Sequence, residues 1–234
     1  MSKRAVILAG GKGTRLKPYT ISLPKPLVPI GDKPILEIII LQLRKFGFDH
    51  ITITVNHLAE IIKAFFGNGS KWDITIDYTL EDKPLSTMGP LTLIPDLPDN
   101  FLVMNGDVLT DLNFADFYNS HTAANNLFTI SSFRRTDKID YGVLHGNSEK
   151  KLINFEEKPN FDFLVSMGIY MVNKKVVSYI PKDTFFGFDH LMKLLIEKFE
   201  LPSLFEFNGY WLDIGRPDDY EKAVNEIDKL AGLK

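Results

Sequence analysis

A glycine-rich loop near the N-terminus combines groups that suit phosphate binding. The apolar run of residues 5–9 leads directly into Gly10-Gly11-Lys12-Gly13-Thr14-Arg15. Because glycine lacks a Cβ, the backbone N–H groups of this loop can approach an anion closely. Arg15 and, after a proline-rich interval, Lys25 add positive side chains that can follow phosphates into a closed site. We therefore predict a buried strand that ends in a phosphate-binding loop.

Two familiar nucleotide-binding loops do not fit this sequence. A dinucleotide-binding loop has a third glycine three residues after Gly13, where Leu16 stands, and a Walker-type loop has Ser or Thr after Gly-Lys, where Gly13 stands. A structural turn without a ligand is the simpler alternative for the glycines alone. Lys12, Arg15 and Lys25 weaken that alternative, because three cations near one turn repel each other unless an anion lies between them.

Two acidic residues in apolar surroundings are candidate ligands for Mg²⁺. Asp107 closes the run Asn105-Gly106-Asp107 directly after the apolar residues 101–104, and Asp213 closes Tyr210-Trp211-Leu212-Asp213 before a Gly-Arg-Pro turn. Carboxylates are hard oxygen ligands of the kind that Mg²⁺ prefers. Asp107 fits a helix N-cap or a turn equally well. If the two acids face each other, one metal ion satisfies both, since a buried acid without a partner is costly.

A third group of residues suits a sugar phosphate. In the turn of residues 156–159, Glu157 can accept hydrogen bonds from sugar hydroxyls while Lys158 binds a phosphate. Tyr141 and Gly142, an aromatic residue beside a glycine that exposes the backbone, can line the same pocket. Taken alone, a charged surface turn is the simpler interpretation of residues 156–159.

Alternating strand and helix signals predict the elements that position these residues. Strand patterns occupy residues 5–9, 51–55, 74–78 and 101–104, and later 127–133, 142–145, 152–155 and 164–172. Helical patterns occupy residues 35–46, 58–66, 190–199 and 217–230, with Pro34 opening the first and Pro90 starting a further short helix. Such alternation predicts βαβ units, a parallel sheet and one continuous α/β domain, with ligands beyond the carboxyl ends of the strands.

Together the motifs resemble the sugar-1-phosphate nucleotidyltransferases, also called NDP-sugar pyrophosphorylases. The match lies in Leu8-Ala-Gly-Gly-Lys-Gly-Thr-Arg15, Pro24-Lys25-Pro-Leu27 with Lys33-Pro34 behind it, Asn105-Gly-Asp107, Glu157-Lys158-Pro159 and Trp211-Leu-Asp213, in the family's order. The resemblance implies a Rossmann-like nucleotidyltransferase fold, a mixed and mostly parallel sheet flanked by helices in three layers. It also implies Mg²⁺ dependence and attack by a sugar phosphate on the α-phosphorus of an NTP, with pyrophosphate leaving.

The resemblance also implies a role for each candidate site residue. Arg15, Lys25, Asp107, Lys158 and Asp213 are the expected catalytic residues, with Asp107 and Asp213 as metal ligands. The expected nucleotide-binding residues are Leu8, Ala9, Gly10, Gly11, Gly13, Thr14, Arg15, Glu81, Ser86 and Gly106. The expected sugar-phosphate-binding residues are Tyr141, Gly142, Glu157, Lys158 and Gly168. Residues 1–120 would then form a nucleotide-binding half and residues 121–234 a sugar-phosphate-binding half of one domain.

The base-reading segment departs from the family pattern. Relatives often show Leu-Gly-Thr-Ala-Gly where this chain has Leu85-Ser86-Thr87-Met88-Gly89, so the larger side chains reshape the pocket. Glu81, if it reads the base while ionised, accepts hydrogen bonds only and suits guanine, which offers two donors. GTP with a hexose or heptose 1-phosphate is the first prediction, and CTP, UTP, dTTP and a polyol phosphate stay open.

The bulk properties narrow the function classes further. The net charge of -3 argues against a nucleic-acid partner, and residues 1–33 concentrate seven basic side chains against the single acid Asp32, which favours a small polyanion. The absence of cysteine and of an apolar run near 20 residues predicts a cytoplasmic protein without a membrane partner. His57 and His190 show no metal-ligand spacing and are interpreted as ordinary polar positions.

Three alternatives stay open at this stage. A chain that ends soon after its last helix looks like a minimal catalytic unit. A non-catalytic nucleotide-sugar-binding regulatory subunit of the same fold is the main rival, and a nicotinamide-dependent oxidoreductase is weaker because Leu16 replaces the third glycine. The aromatic residues 185–188 either form an interface in a homo-oligomer or cover the core from a loop.

Overall fold

The computed structural model describes residues 2–56 and 58–226, in which the chain forms thirteen strands and five α-helices. In chain order the strands are β1 (Arg4–Leu8), β2 (Pro29–Ile30), β3 (Lys33–Pro34), β4 (His50–Val55), β5 (Thr75–Leu80), β6 (Asn100–Asn105), β7 (Val108–Thr110), β8 (Phe128–Lys138), β9 (Val143–Gly146), β10 (Leu152–Glu156), β11 (Asn160–Asn173), β12 (Ser203–Phe207) and β13 (Trp211–Asp213). The α-helices are α1 (Ile35–Lys45), α2 (Ala59–Phe66), α3 (Phe114–Ala123), α4 (Phe188–Glu197) and α5 (Pro217–Glu226).

Seven of these strands form the central sheet, in the order β12-β8-β11-β6-β1-β4-β5. β1 runs parallel to β4 and β6, β4 to β5, and β8 to β12, whereas β11 runs antiparallel to β6 and β8. The predicted mixed, mostly parallel sheet is therefore confirmed. Because β1, β4, β5 and β6 point the same way, their carboxyl ends meet at one edge of the sheet.

The sheet is covered on both faces, which confirms the three-layer arrangement. Along β1, Ala5 and Ile7 pack into a large core with α1 and α2, while Val6 between them packs into a second core with α4. Successive residues of a strand point to opposite faces, so one continuous apolar run feeds both cores. The apolar character of residues 5–8 thus follows from burial on both faces.

α1, which connects β1 to β4, is held in place by a buried apolar face and a buried amide. Its residues Ile35, Leu36 and Ile39 are at most 1% exposed, and the buried Gln42 donates from its side-chain amide to the carbonyl of Thr110 at 2.7 Å. α1 starts at Ile35, so Pro34 lies just before its first helical residue and not within it. Pro34 instead ends β3.

Several elements differ from the sequence-based prediction. The structure adds α3, β7 and β12, and it extends β8 and β11 well beyond the apolar cores of their patterns. Asn113 caps α3, with its side-chain oxygen accepting from the N–H groups of Ala115 and Asp116 at 3.0 and 3.2 Å. The predicted helix after Pro90 is a short 3-10 helix, Gly89–Leu93. His57 and the end of the last predicted helix, residues 227–230, lie outside the described residues.

No helix in the described part of the chain is long and apolar enough to cross a bilayer.

Candidate active site

The carboxyl ends of the parallel strands surround a cavity of about 450 Å³. Its lining residues are Leu8, Gly10, Gly11, Lys12, Thr54, Asn56, Glu81, Pro84, Ser86, Thr87, Asn105, Asp107 and Phe185. They come from the loops after β1, β4, β5 and β6, with one residue from the segment before α4. The glycine-rich loop therefore lies at the predicted edge of the sheet.

Close packing explains two of the loop glycines. A Cβ on Gly10 would lie 2.6 Å from Glu81 Oε1, so a larger residue here would force the buried Glu81 carboxyl to move. Gly13 has a φ of 60°, a left-handed conformation that glycine adopts at low cost, and its carbonyl accepts from Thr20 Oγ1 at 2.7 Å. A Cβ on Gly13 would also lie 3.2 Å from Lys25 Cβ. This fold-back brings Lys25 beside the loop.

A smaller recess continues the cavity beneath the loop. It has a volume of about 50 Å³ and is lined by Leu8, Ala9, Gly11, Lys25, Pro26, Gly106 and Asp107. The Gly106 N–H donates to the carbonyl of Leu8 at 3.0 Å, which ties the end of β6 to the end of β1. Thr14 begins the short 3-10 helix Thr14–Leu16, which presents Arg15 to solvent. Of the predicted nucleotide-binding residues, most line the cavity or the recess, namely Leu8, Ala9, Gly10, Gly11, Glu81, Ser86 and Gly106. Gly13, Thr14 and Arg15 line neither of them.

The two predicted metal ligands are brought together by β7 and β13. These strands pair antiparallel, with Asp213 opposite Val108, and the Ile214 N–H donates to the carbonyl of Asp107 at 3.0 Å. Part of Asp213 is exposed to solvent. Partial burial of its carboxyl, and secondly the negative charge of Asp107, raise the pKa of Asp213. The two acids therefore lie close enough to interact electrostatically.

Two cations complete this cluster. Lys25 Nζ donates a hydrogen bond to Asp107 Oδ2. Arg15 and Lys25 both act to lower the pKa of the Asp213 carboxyl, in opposition to burial. A Cβ on Gly215, two residues after Asp213, would lie 3.8 Å from the Arg15 guanidinium. Arg15, Lys25, Asp107 and Asp213 therefore form one charged cluster, of which Asp107 lines the cavity and Lys25 and Asp107 line the recess.

The acid pair has the donor chemistry that Mg²⁺ prefers. Asp107 Oδ1 is buried, and within residues 2–56 and 58–226 no hydrogen-bond donor reaches it. The same residues contain no group of three or more histidine and acidic side chains able to hold a metal. Mg²⁺ is often held by one or two carboxylates together with substrate phosphates and water, so a two-acid site fits that mode.

Residues 81–89, the segment expected to read the base, also contribute to the cavity wall. Glu81 is 7% exposed, it accepts from the Leu85 N–H at 3.4 Å, and burial raises the pKa of its carboxyl. Ser86, where relatives often have glycine, adopts a φ of 64°. The segment thus keeps a conformation suited to glycine while carrying a side chain.

None of the predicted sugar-side residues lines the cavity or the recess. Gly142 and Glu157 adjoin each other, since a Cβ on Gly142 would lie 3.4 Å from Glu157 Oε2, but Tyr141 is 80% exposed. Lys158 follows β10 in an exposed turn with a φ of 46°. Gly168 alone of this set contacts a cavity residue, because a Cβ there would lie 2.6 Å from Asn105 Nδ2.

Sequence reasoning omitted several cavity residues from the candidate site. Asn56 directly follows β4, and a polar residue at the carboxyl end of a parallel strand is a signal that could have identified it. Asn105 and Lys12 lay within quoted motifs but had no assigned role. No local pattern marks Phe185, because it lies 99 residues after Ser86 and only tertiary contacts bring it to the cavity.

Comparison with known proteins agrees with this geometry. The profile of the family described as nucleotidyl transferase matches residues 4–229. The chain is 33% identical to a UTP–glucose-1-phosphate uridylyltransferase of Synechocystis and 36% identical to a mannose-1-phosphate guanyltransferase of Schizosaccharomyces pombe, with 96% and 93% of this chain covered. It spans 63% and 62% of the length of these two relatives.

Solved structures show the same fold. The crystal structure of HddC from Yersinia pseudotuberculosis complexed with GMP-PN has a TM-score of 0.74 and 28% identity, and the match covers 96% of this chain and 99% of that one. The structure of a Bacillus anthracis protein described as a glucose-1-phosphate thymidylyltransferase has a TM-score of 0.77 at 23% identity, with 96% and 94% covered, and supports the fold alone.

Proposed function

Because the chain belongs to the nucleotidyl transferase family, we propose that it transfers a nucleoside monophosphate from an NTP to a sugar 1-phosphate and releases pyrophosphate. The observation that carries this proposal is the cluster of Asp107 and Asp213 with Arg15 and Lys25, in which Asp107 lines the cavity. The names of two relatives, a uridylyltransferase and a guanyltransferase of sugar 1-phosphates, support the same reaction class.

The reaction needs charge stabilisation more than proton transfer. A phosphate monoester has a second pKa of about 6, so its oxygen is already ionised at neutral pH and needs no general base. That oxygen forms a bond to the α-phosphorus, and the bond from the α-phosphorus to the bridging oxygen breaks with its electron pair leaving on pyrophosphate. Arg15 and Lys25 are suited to the charge on the departing phosphates, while the amides of Gly10, Gly11 and Gly13 hold the nucleotide.

Asp107 and Asp213 are the residues that would hold Mg²⁺. The ion would supply positive charge to the phosphate oxygens of the nucleotide. The free Oδ1 of Asp107 and the electrostatic coupling of the two acids support this assignment. Lys25 would then exchange its contact with Asp107 for one with phosphate when the nucleotide binds.

The sugar phosphate would bind between the cavity and the β9–β10 hairpin. Lys158 would bind its phosphate and Glu157 its hydroxyls, with Tyr141, Gly142 and Gly168 lining the sugar. Gly168 adjoins Asn105, so the sugar side begins where the nucleotide side ends. This division matches the proposed two halves of the domain, residues 1–120 and 121–234.

GTP is the proposed first-choice nucleotide. An ionised Glu81 accepts two hydrogen bonds and matches the two N–H donors of guanine, and those donors would offset the burial that disfavours its ionised form. The guanyltransferase name of one relative and the GMP-PN in the HddC complex agree with a guanine nucleotide.

An assay of pyrophosphate release with Mg²⁺, four NTPs and a panel of sugar 1-phosphates tests the proposal. We expect release to require both substrates and to be highest with GTP and a hexose or heptose 1-phosphate. Nucleotide binding without release across the panel would favour the regulatory subunit and overturn the catalytic proposal.

A further inference from the structure

Phe185 is an apolar side chain that folding leaves at the cavity. It is 60% exposed and lines the cavity together with Glu81, Pro84, Ser86 and Thr87. We propose that Phe185 forms a wall of the nucleobase pocket and stacks on the base of the bound nucleotide. The inference rests on the proposed function for the identity of its ligand, and it assigns a nucleotide-binding residue beyond the motif set.

Backbone hydrogen bonds fix the position of this residue relative to the base-reading segment. The N–H of Phe186 donates to the carbonyl of Leu85 at 3.0 Å. The carbonyl of Phe186 accepts from the N–H groups of Met88 and Gly89 at 3.0 and 2.9 Å. These hydrogen bonds hold the segment that contains Phe185 against the base-reading segment, although the two are distant in sequence.

Further contacts secure both sides of Phe185. Before it, Lys83 Nζ and Asp183 Oδ2 form an ion pair at 2.8 Å. After it, the N–H of Phe188 donates to Thr87 Oγ1 at 2.8 Å. Because the backbone on both sides of Phe185 is fixed in this way, little backbone freedom is lost when a base stacks on the ring, which favours binding.

The aromatic neighbours of Phe185 pack in the core, whereas Phe185 itself does not. Phe186 and Phe188 pack against the second core, and the Phe188 ring stacks on Tyr170 with centroids 4.8 Å apart. The Phe185 ring instead makes a T-shaped contact with the His190 ring, with centroids 6.3 Å apart and planes at 89°. Its exposure is therefore not a by-product of core packing, because its two neighbours already supply that packing.

Stacking and hydrogen bonding would divide base recognition between two groups. Every base has a π-face, so stacking on Phe185 supplies affinity with little sequence preference. Glu81, on the same cavity, meets the edge of the base and supplies the choice between bases. Substitution of Phe185 should therefore weaken the binding of all four NTPs without changing the order of their affinities.

Substitution of Phe185 tests this division. We measure the Kd of Mg²⁺ complexes of the four NTPs by calorimetry and the KM for NTP and sugar 1-phosphate by pyrophosphate release, in wild type, Phe185→Ala and Phe185→Tyr. Phe199→Ala is the matched control, since Phe199 is 90% exposed at the end of α4. Thermal melting verifies that each variant folds.

We expect Phe185→Ala to raise the Kd and KM for the NTP roughly 5- to 150-fold, while Phe185→Tyr and Phe199→Ala stay within about twofold of wild type. The KM for the sugar 1-phosphate and the ranking of the four NTPs should not change. Equal Kd values for wild type and Phe185→Ala would overturn the stacking role, whether or not the enzyme turns over. Nucleotide binding by wild type without pyrophosphate release would overturn the proposed function and leave the stacking result standing on Kd, and no binding of any NTP would overturn both.

Discussion

Lys25 and Asp107, 82 residues apart in the chain, form an ion pair at the end of the central sheet. Their side chains are 11% and 22% exposed, so each partly offsets the burial of the other's charge. Only Oδ2 of Asp107 is used, and Oδ1 faces no donor among the described residues. The pair therefore holds one oxygen of a candidate metal ligand and leaves the second available.

Removal of the Lys25 charge should strengthen the response to Mg²⁺ while lowering catalysis. In Lys25→Met the Asp107 and Asp213 carboxylates lose their nearest cation, so Mg²⁺ should bind more tightly and raise the Tm more than it does in wild type. Pyrophosphate release should fall about 100-fold, because the departing phosphates lose a positive partner. Thermal melting with and without Mg²⁺ measures the first effect. Lys63→Met, which breaks a surface pair with Glu60, is the control, and an equal Mg²⁺ response in both variants would refute the expectation.

Arg15 should act on the nucleotide more than on the fold. Arg15→Ala removes an exposed side chain, and we expect unchanged melting but a KM for the NTP raised roughly 10- to 100-fold, the size of a lost charged hydrogen bond. Steady-state kinetics at saturating sugar 1-phosphate measures the change. Arg44→Ala, which loses an exposed pair with Asp73, should keep the wild-type KM. A wild-type KM in Arg15→Ala would remove Arg15 from the site.

Asp107 should be essential for turnover. Asp107→Asn keeps the size of the side chain but lowers its charge and its affinity for a hard cation, so kcat should fall about 100- to 1,000-fold. The matched control is Asp99→Asn. Asp99 is an exposed acid paired with Lys174 and lies just before β6, whereas Asp107 lies just after it. Release near the wild-type rate in Asp107→Asn, at the same Mg²⁺ concentration, would contradict the assignment.

His121 should make the protein less stable as the pH falls below neutral. The residue is fully buried, with hydrogen bonds to Thr129 Oγ1 at 2.8 Å and Asn100 Oδ1 at 3.2 Å, and burial lowers the pKa of its ring from 6.5 to about 4. Below pH 6.5 the unfolded chain takes up a proton that the folded chain refuses until about pH 4, so stability is lost across that window as the pH falls.

The loss attributable to His121 between pH 7 and pH 5 is about 2 kcal/mol. Urea unfolding at the two pH values measures it, and in His121→Asn the difference between them should shrink by that amount. His145→Asn, in an exposed pair with Glu156, should behave as wild type. An unchanged pH dependence in His121→Asn would show that other groups set it.

Ser86→Gly should stabilise the protein. Ser86 has a φ of 64°, which costs about 1 kcal/mol for a residue with a Cβ and nothing comparable for glycine. The larger unfolded-state entropy of glycine offsets part of this relief. We therefore expect the free energy of unfolding to rise by about 0.5 kcal/mol and the Tm by roughly 1–2 °C. Ser86→Ala keeps the Cβ and should not gain. Equal Tm values for the glycine and alanine variants would mean that the turn is not strained.

Local patterns predicted the parallel half of the sheet well. Residues 5–9, 51–55, 74–78 and 101–104 are short segments rich in apolar and β-branched residues, and each overlaps a central strand. Residue types predicted an anion among Lys12, Arg15 and Lys25, because adjacent cations repel each other without one, and a metal shared by Asp107 and Asp213. The structure places Arg15 and Lys25 beside these two acids. Parallel strands then bring their ends together without further information.

Tertiary contacts decided the parts that sequence did not reveal. α3 has a mixed surface, with the apolar Phe114 and Phe117 among polar residues, so its periodicity is weak, although Asn113 is a cap signal that could have marked its start. β12 is an edge strand whose residues are only partly buried. Phe185 reaches the cavity only because Phe186 pairs with Leu85, and no local pattern encodes that pairing.

The most direct test of the central claim is ³¹P NMR of a reaction containing the protein, Mg²⁺, GTP and mannose 1-phosphate, with the other NTPs and sugar 1-phosphates in parallel. We expect pyrophosphate and the paired resonances of an NDP-sugar to appear together in equal amounts in at least one mixture, and both to form at least about 100-fold more slowly with Asp107→Asn. Formation of orthophosphate or nucleoside diphosphate without an NDP-sugar, or an unchanged spectrum in every mixture, would contradict nucleotidyl transfer by this cluster.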